Sequence, residues 1–580
     1  MRQLFTLLLL LIPFFTYAQR HDNIWFFGGG GGAQSLPNDS FGISILNFGE
    51  YDSPLIEVNQ EYTVNFYGIN TTVCDSNGLL QFYTNGVRVY NTNHVYMSNG
   101  DGLVSNGASD GYRLPQSVSA MPYPGHPGQY ILIAIEDFNN DAVGHKLFYH
   151  IIDMHAENGL GKVILKRQLL VQDSLTWGQI AAVKHANGRD WWFIVARNDS
   201  NEYYIGSITP SGVQVRLDTV GDKILTGGGA VCFSPDGRYH IRADSKGAIY
   251  PVTVNIFDFD RCSGVLSHQR RHSLYNPQHF VIGTVVSPDS RYLYVTDDRI
   301  VYQYDLQAPD VFATETVVAE WDGFKYAGIW PTDFYQGQNG PDGRIYVNTS
   351  NSSRSMHRIR FPNRKGKACQ FVQNDMKYFT SFRYEMPNHP NYRLGPLDGS
   401  SCDTLGIDNL PLAAWRWEQE YDSLPLRISF SDFSYYAPEQ WYWDFGDGQV
   451  SQDTSPVHVY AQSGIYEVCL VVQNTYGADT LCRLVNVEVS SVNDAQEQPF
   501  EVSAWPNPFS RELVLSPEGG GVDYVRAEAQ LYDVQGRLVA RERWQGPQLR
   551  WDLSGLPPGL YLYTVRTDRG RVFWGKAVKY

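Results

Sequence analysis

Short apolar runs recur along the chain, each introduced by a turn. From about residue 19 to 397 the unit is a Pro-Asp-Gly or Asn-Gly turn followed by a strand rich in Tyr, Val and Ile. The instances are CDSNGLLQFYTNG (Cys74–Gly86), KHANGRDWWFIV (Lys184–Val195), FSPDGRYHI (Phe233–Ile241), VSPDSRYLYV (Val286–Val295) and GPDGRIYV (Gly340–Val347). Each precedes a second strand, such as VYQYDL (Val301–Leu306). Further along, Trp441, Trp443 and Phe445 alternate with Tyr442 and Asp444, a period of two that predicts a strand, and Asp447-Gly448 then predicts a tight turn.

A repeat of roughly 45–60 residues predicts stacked β-units. One small four-stranded sheet cannot bury both faces, and radial packing would bury them while leaving short edges. The repeats resemble the S-P-D-G repeats of exported propeller proteins. The region beginning DNIWFFG (Asp22–Gly28) resembles the propeller that precedes adhesion-type modules in Bacteroidota surface proteins. The expected fold is therefore all-β, a propeller of about seven blades followed by two immunoglobulin-like sandwiches. Six or eight blades stay open, as does ring closure by the strand around Trp25 against residues 379–384.

WDFGDG, P-x-H-x-Y, G-x-Y-x-V and V-x-N-x-x-G follow one another at Trp443–Gly448, Pro456-His458-Tyr460, Gly464-Tyr466-Val468 and Val472-Asn474-Gly477. This order resembles the polycystic-kidney-disease (PKD) repeat. The resemblance implies a sandwich in which Trp443 fills the core, Asp444, Gly446, Asp447 and Gly448 shape turns, and Tyr466 belongs to the structural signature. The letters D-F-G also occur in kinases, but no nucleotide loop, catalytic H-R-D segment or helical lobe accompanies them. A calcium loop would need further acidic ligands in register.

The last eighty or so residues carry P-N-P-F (Pro506, Asn507, Pro508), Y-D-x-x-G-R-L-V with Gly536, L-S-x-L-P-x-G-x-Y with Gly559, and a terminal K-x-x-K from Lys576 to Lys579. Four motifs in this order resemble the type A C-terminal sorting domain of the type IX secretion system. That implies recognition by the secretion machinery and its sortase, and a Gram-negative source of the Bacteroidota type. The domains expected are a signal peptide at 1–18, the propeller at 19–400, a PKD domain at 408–489, a polar linker at 490–500 and the sorting domain at 501–580.

Leu4–Phe15 is an apolar run behind Met1-Arg2, and Thr16-Tyr17-Ala18 offers small residues for cleavage between Ala18 and Gln19. The run is shorter than the about 20 residues needed to span a bilayer. Export would permit disulfides. Of seven cysteines, Cys469 and Cys482 fall opposite each other if 474–477 forms a turn, and a bridge is expected there. Cys369 with Cys402 is a second candidate pair, while Cys232 reads as core. The net charge of -15, without Lys/Arg runs, argues against nucleic acid.

Candidate chemistry is sparse. GASDG (Gly107–Gly111) matches G-x-S-x-G but lacks the flanking strand and helix. The segment from Asp137 to Phe148 starts like a calcium loop, then has Ala142 and Phe148 where Gly and Glu are needed. FGGGGGAQ (Phe27–Gln34) lacks the G-K-[ST] and helix of a phosphate cradle. Asp137, Asp244, Asp297 and Asp333 are generic candidates for a channel site. No catalytic, metal or cofactor residues are assigned. The expected function is surface or secreted binding of a glycan or surface protein, with the PKD module as a spacer or contact. The alternative is a hydrolase or lyase with a metal in the propeller channel.

Overall fold

The computed structural model describes residues 19–29, 42–49, 53–59, 64–104, 111, 113–137, 143–247, 250–274, 282–419, 426–487, 501–518, 525–533, 537–546, 548–567 and 572–580. The signal-peptide residues including Ala18, the GASDG serine, most of the glycine-rich loop, the 490–500 linker and Gly536 lie outside them. The chain divides into two compact units, Met1–Val489 and Ser490–Tyr580.

Among the described residues of the first unit, five antiparallel meanders of four strands follow one another. Ala181–Lys184, Trp191–Ala196, Glu202–Thr209 and Gly212–Thr219 form one of them, paired strictly in sequence order. Its second strand is buried along its whole length, whereas its fourth is largely exposed or half-buried. The continuous apolar runs of the sequence are thus strands covered on both faces.

The repeated turn explains why each strand begins where it does. In the Phe233–Ile241 repeat, Ser234 Oγ donates to Asp236 Oδ1 (2.6 Å), and the Arg238 N–H donates to that same oxygen (3.1 Å). The Tyr239 N–H donates back to Ser234 Oγ (3.0 Å). Ser287, Asp289, Arg291 and Tyr292 repeat this network with distances of 2.5, 3.1 and 2.8 Å. Short Ser and Asp side chains satisfy backbone donors that the turn would otherwise leave bare. The long outer strands Lys162–Leu175 and Phe371–Phe382 share another device. Arg167 and Asn374 adopt left-handed φ of 58° and 53°. Their N–H groups donate to the buried His150 and His357 Nδ1 atoms at 3.2 and 3.1 Å, anchoring a bulge in each strand.

These sheets correct the expected propeller. Among the described residues, the region before the PKD module contains eight separate open sheets: five of four strands, two of three and one of two. None closes into a propeller. Among the described residues the anticipated closing pair is absent, and Ile24–Gly29 is hydrogen-bonded as a strand to Gly42–Asn47. Phe27 meets Phe382 and Tyr378 through ring packing at 5.5 and 6.0 Å between centroids, with no ladder between the strands. The physical reason is that each small sheet makes its own ladder and meets its neighbours through side chains and isolated backbone contacts, such as the Ala186 N–H on the Arg261 carbonyl (3.0 Å). The architecture is all-β, built of several small antiparallel sheets.

Residues 415–487 form two facing sheets, with Trp415–Gln419, Arg427–Asp432 and Val457–Val459 in one. The other contains Val450–Ser451, Gln440–Asp444, Gly464–Asn474 and Gly477–Val487. Trp415, Phe430, Trp443 and Val468 fill the space between them. The second unit repeats the scheme, with a three-stranded and a four-stranded sheet around Phe509, Leu531, Trp544 and Val565.

Candidate functional site

Pro341-Asp342-Gly343 is one of the repeated turns, and here its aspartate is buried. Asp342 Oδ1 accepts the Arg344 N–H (3.2 Å), and Oδ2 accepts Arg344 Nη1 and the Tyr346 hydroxyl, both at 2.8 Å. Over this turn lies the first strand of the following sandwich. Arg416 Nη1 donates to the Asp342 carbonyl (2.7 Å), Nη2 to the Arg360 carbonyl and Nε to Glu418 Oε1 (2.8 Å). Arg344 Nη2 reaches the same Glu418 oxygen at 3.1 Å. Gly343, at φ 72°, leaves the room this needs: a Cβ there would lie 3.1 Å from both Arg416 and Phe433.

Burial opposes ionisation of Asp342, and the nearby Arg344 and Arg416 guanidiniums outweigh it, holding the carboxyl below its ordinary range. Burial lowers the Arg416 pKa, partly offset by Glu418. Because each charge is paired and hydrogen-bonded, the network fixes the sandwich on the N-terminal sheets.

Beside the network opens a cavity of about 670 Å³, bordered by Arg20, Asn23, Asp342, Arg393, Tyr435 and Arg483 among others. This size suits a small ligand or one residue of a larger one. Arg393 is held by Asp22 (2.7 Å) and lies 5.4 Å from the Tyr435 ring centroid. Arg483 lies over Trp415 and Trp417 at 5.5 and 5.3 Å, and its Nη1 donates to the Trp415 carbonyl (2.8 Å). The walls offer fixed guanidinium and amide donors beside aromatic rings, which is the chemistry of binding a polar ligand.

The sequence did not single out Arg344, Arg393 or Arg416. One signal was present: Pro-Asp-Gly-Arg puts an arginine two residues after the turn aspartate, and Arg238 and Arg344 both pair with it, with N–O distances of 2.5 and 2.8 Å. The four generic aspartates do not form a common site. Asp244 is engaged by both Nε and Nη2 of Arg242 at 2.8 Å, while Asp333 accepts from Ser350 and Asn351. Asp297 is buried at the end of the strand Tyr292–Asp297, and Asp137 is buried just past the strand Gln129–Glu136. Among the described residues, no group of three or more His, Cys, Asp and Glu side chains could hold a metal ion.

Trp443 is fully buried and its Nε1 donates to the Asp453 carbonyl (3.0 Å). Asp444 Oδ1 accepts the Gly446 N–H (2.9 Å), and Asp447 Oδ1 accepts that of Gln449 (3.0 Å). Asp447 Oδ2 also pairs with His458 Nε2 (2.8 Å), whose ring stacks on Phe445 at 4.1 Å. Gly446 and Gly448 have φ of 75° and 90°. A Cβ on Gly446 would lie 2.5 Å from the Glu467 carbonyl oxygen. The Tyr466 hydroxyl donates to the Gln462 carbonyl (3.0 Å).

Cys469 faces Cys482 in the ladder and is bonded to it. A second disulfide joins Cys262 to Cys402, so the candidate pairing of Cys369 with Cys402 is wrong; Cys369 is a buried thiol. In the second unit, Asn507 Nδ2 donates to the Lys576 carbonyl and its Oδ1 accepts the Val578 N–H, both at 2.8 Å. Pro506 and Pro508 flank that residue, and Gly559 opens the strand Gly559–Thr567 that pairs with Val572–Lys579.

Residues 414–489 match the family described as the PKD domain, and residues 503–578 match the family described as the secretion system C-terminal sorting domain. Collagenase ColQ1 of Bacillus cereus (strain Q1) is 47% identical over 38 residues, which are 7% of this chain and 4% of that protein. The chain thus spans 4% of the length of this curated relative. The solved PKD1 domain of Vibrio anguillarum Epp is 30% identical, covering 14% of this chain and 99% of its own, with a TM-score of 0.13. The PKD1 domain from Vibrio cholerae metalloprotease PrtV is 28% identical, covering 14% and 100%, also with a TM-score of 0.13. The chain therefore contains a PKD domain and a type IX secretion C-terminal sorting domain.

Proposed function

We propose that this protein is an exported, non-enzymatic binding protein of the adhesion type. The β-sheets of residues 19–400 present the ligand face, the PKD domain (408–489) buttresses it, and residues 501–580 direct type IX secretion. The mature chain, starting at Gln19, ends in the medium or attached at the outer-membrane surface. The sorting-domain match supports the export reading. The observation that carries the binding reading is the cavity at the PKD junction, where arginine and asparagine donors meet aromatic rings.

The test is a glycan array combined with thermal-shift titration of residues 19–489, since a ligand of the native state raises the apparent melting temperature. Saturable binding to one glycan class, weakened by Arg20→Ala or Asn23→Ala, is the expected result. A large shift with calcium or zinc, and no glycan signal, would overturn it.

A further inference from the structure

Three polar side chains on the wall of the junction cavity have no hydrogen-bond partner among the described residues: Arg20, Asn23 and Tyr435. Their backbones are fixed. The Arg20 N–H donates to the Ser76 carbonyl and the Asn23 N–H to the Arg20 carbonyl, both at 3.2 Å, and the Tyr435 N–H donates to the Leu412 carbonyl (3.0 Å). Asn23 is 8% exposed, and its amide is backed by Gly78, where a Cβ would lie 3.1 Å from the amide nitrogen. Buried polar groups of this kind are satisfied by whatever fills the space beside them.

The other guanidiniums on the wall are engaged. Arg393 pairs with Asp22 and Arg416 with Glu418, and Arg483 donates to the Trp415 carbonyl. Asp342 is taken by Arg344, and the exposed Glu467, which also borders the cavity, makes no ion pair with Arg20. The half-buried Arg20 is thus a cation without an anion among the described residues. Its guanidinium and that of Arg393 act on one group: burial raises the Tyr435 pKa, and Arg393 and Arg20 pull it back. A guanidinium fork matches carboxylate or sulfate geometry. The Asn23 amide both donates and accepts, as sugar hydroxyls do, and the Tyr435 hydroxyl adds a further contact. Phe48 and Phe433 on the same wall offer apolar faces to a sugar ring. A neutral sugar would engage the amide and the phenol and leave Arg20 desolvated and unpaired.

We propose that the junction cavity takes an anionic sugar unit, with its carboxylate or sulfate on Arg20 and its hydroxyls on Asn23 and Tyr435. This names the ligand class of the cavity and rests on the reading of that cavity as a glycan site. The volume of about 670 Å³ admits one charged unit of a longer chain rather than a folded partner.

The full mature chain from Gln19 is titrated calorimetrically with trigalacturonate, galactose 6-sulfate and neutral galactotriose at low and raised salt. Binding of an anionic sugar at least about tenfold tighter than galactotriose, weakening with salt, is expected. Preference between the two anionic sugars separates a carboxylate source from a sulfate source. Arg20→Gln should weaken anionic binding at least about tenfold, the loss of one charge-assisted contact, and leave galactotriose unchanged. Arg20→Lys should restore part of the loss, since it keeps the charge without the fork. Because the Arg20 side chain holds no described residue by a hydrogen bond, Arg20→Gln should keep the wild-type melting temperature. Unchanged anionic affinity in Arg20→Gln, or galactotriose bound as tightly as the anionic sugars, overturns the anionic assignment and leaves the wider glycan reading standing. No binding of any of the three sugars, with no hit on the array, removes both.

Discussion

Glu385 is almost fully buried, and its carboxylate accepts the N–H groups of Gly28 (2.9 Å) and Arg383 (2.8 Å) in hydrogen bonds. Burial pushes its pKa from an ordinary 4.5 up to about 7, with the backbone donors pulling partly the other way. An acid whose folded pKa is raised adds stability that is complete below its unfolded pKa and lost as pH rises to the folded value. The window here is pH 4.5 to about 7. Glu385→Gln should therefore gain about 3 kcal/mol on the wild type between pH 4.5 and 8, read from urea unfolding at both pH values. An unchanged difference between the two proteins would mean that Glu385 does not titrate in this range. The buried His150 and His357, lowered to about 3 by burial, act in the opposite sense, losing stability below their unfolded value of 6.5, and cancel from the comparison. Nothing in the sequence marks Glu385, because its donor Gly28 lies 357 positions away. The turn aspartates Asp444 and Asp447 were legible, because each meets a backbone N–H two residues on.

At the scale of elements, antiparallel register made Cys469 and Cys482 legible: once Asn474 and Gly477 pair across the turn, the two cysteines must face each other. Cys262 and Cys402 are 140 residues apart, and no local pattern brings them together. The PKD module was legible as a sandwich, and its attachment was not, since Arg416 meets Asp342 and Arg360 only after both regions fold. Removing one member of a buried, paired network weakens what its partners keep. Arg416→Ala should destabilise residues 19–489 by about 3 kcal/mol, because Glu418 then keeps only Arg344 of its two guanidinium partners and the Asp342 and Arg360 carbonyls lose their donor. Urea unfolding that shows a change below about 1 kcal/mol would mean that the junction does not couple the sandwich to the sheets.

For the whole molecule, repeated turns reveal the local unit but not how edge strands are partnered, which is why a closed ring was expected and open sheets are found. The PKD domain and the sorting domain were legible in ordered motifs, each of which reports a turn or a core position within a short stretch of chain. Since residues 490–580 form a compact unit of their own, their deletion should leave the first unit folded. The truncated protein should accumulate in the periplasm with an unaltered melting temperature. Its appearance in the medium would show that export does not depend on the sorting domain.

The Cys262–Cys402 bond has a mechanical consequence. In a chain held at its C-terminus and pulled through residues before 262, tension passes from the PKD module to Cys402 and directly into Cys262. The covalent path thus skips the intervening residues, which include three whole sheets among the described residues, and load enters them only through contacts such as that of Arg416 with Asp342 and Arg360, whereas in the reduced protein the whole tension would run through them.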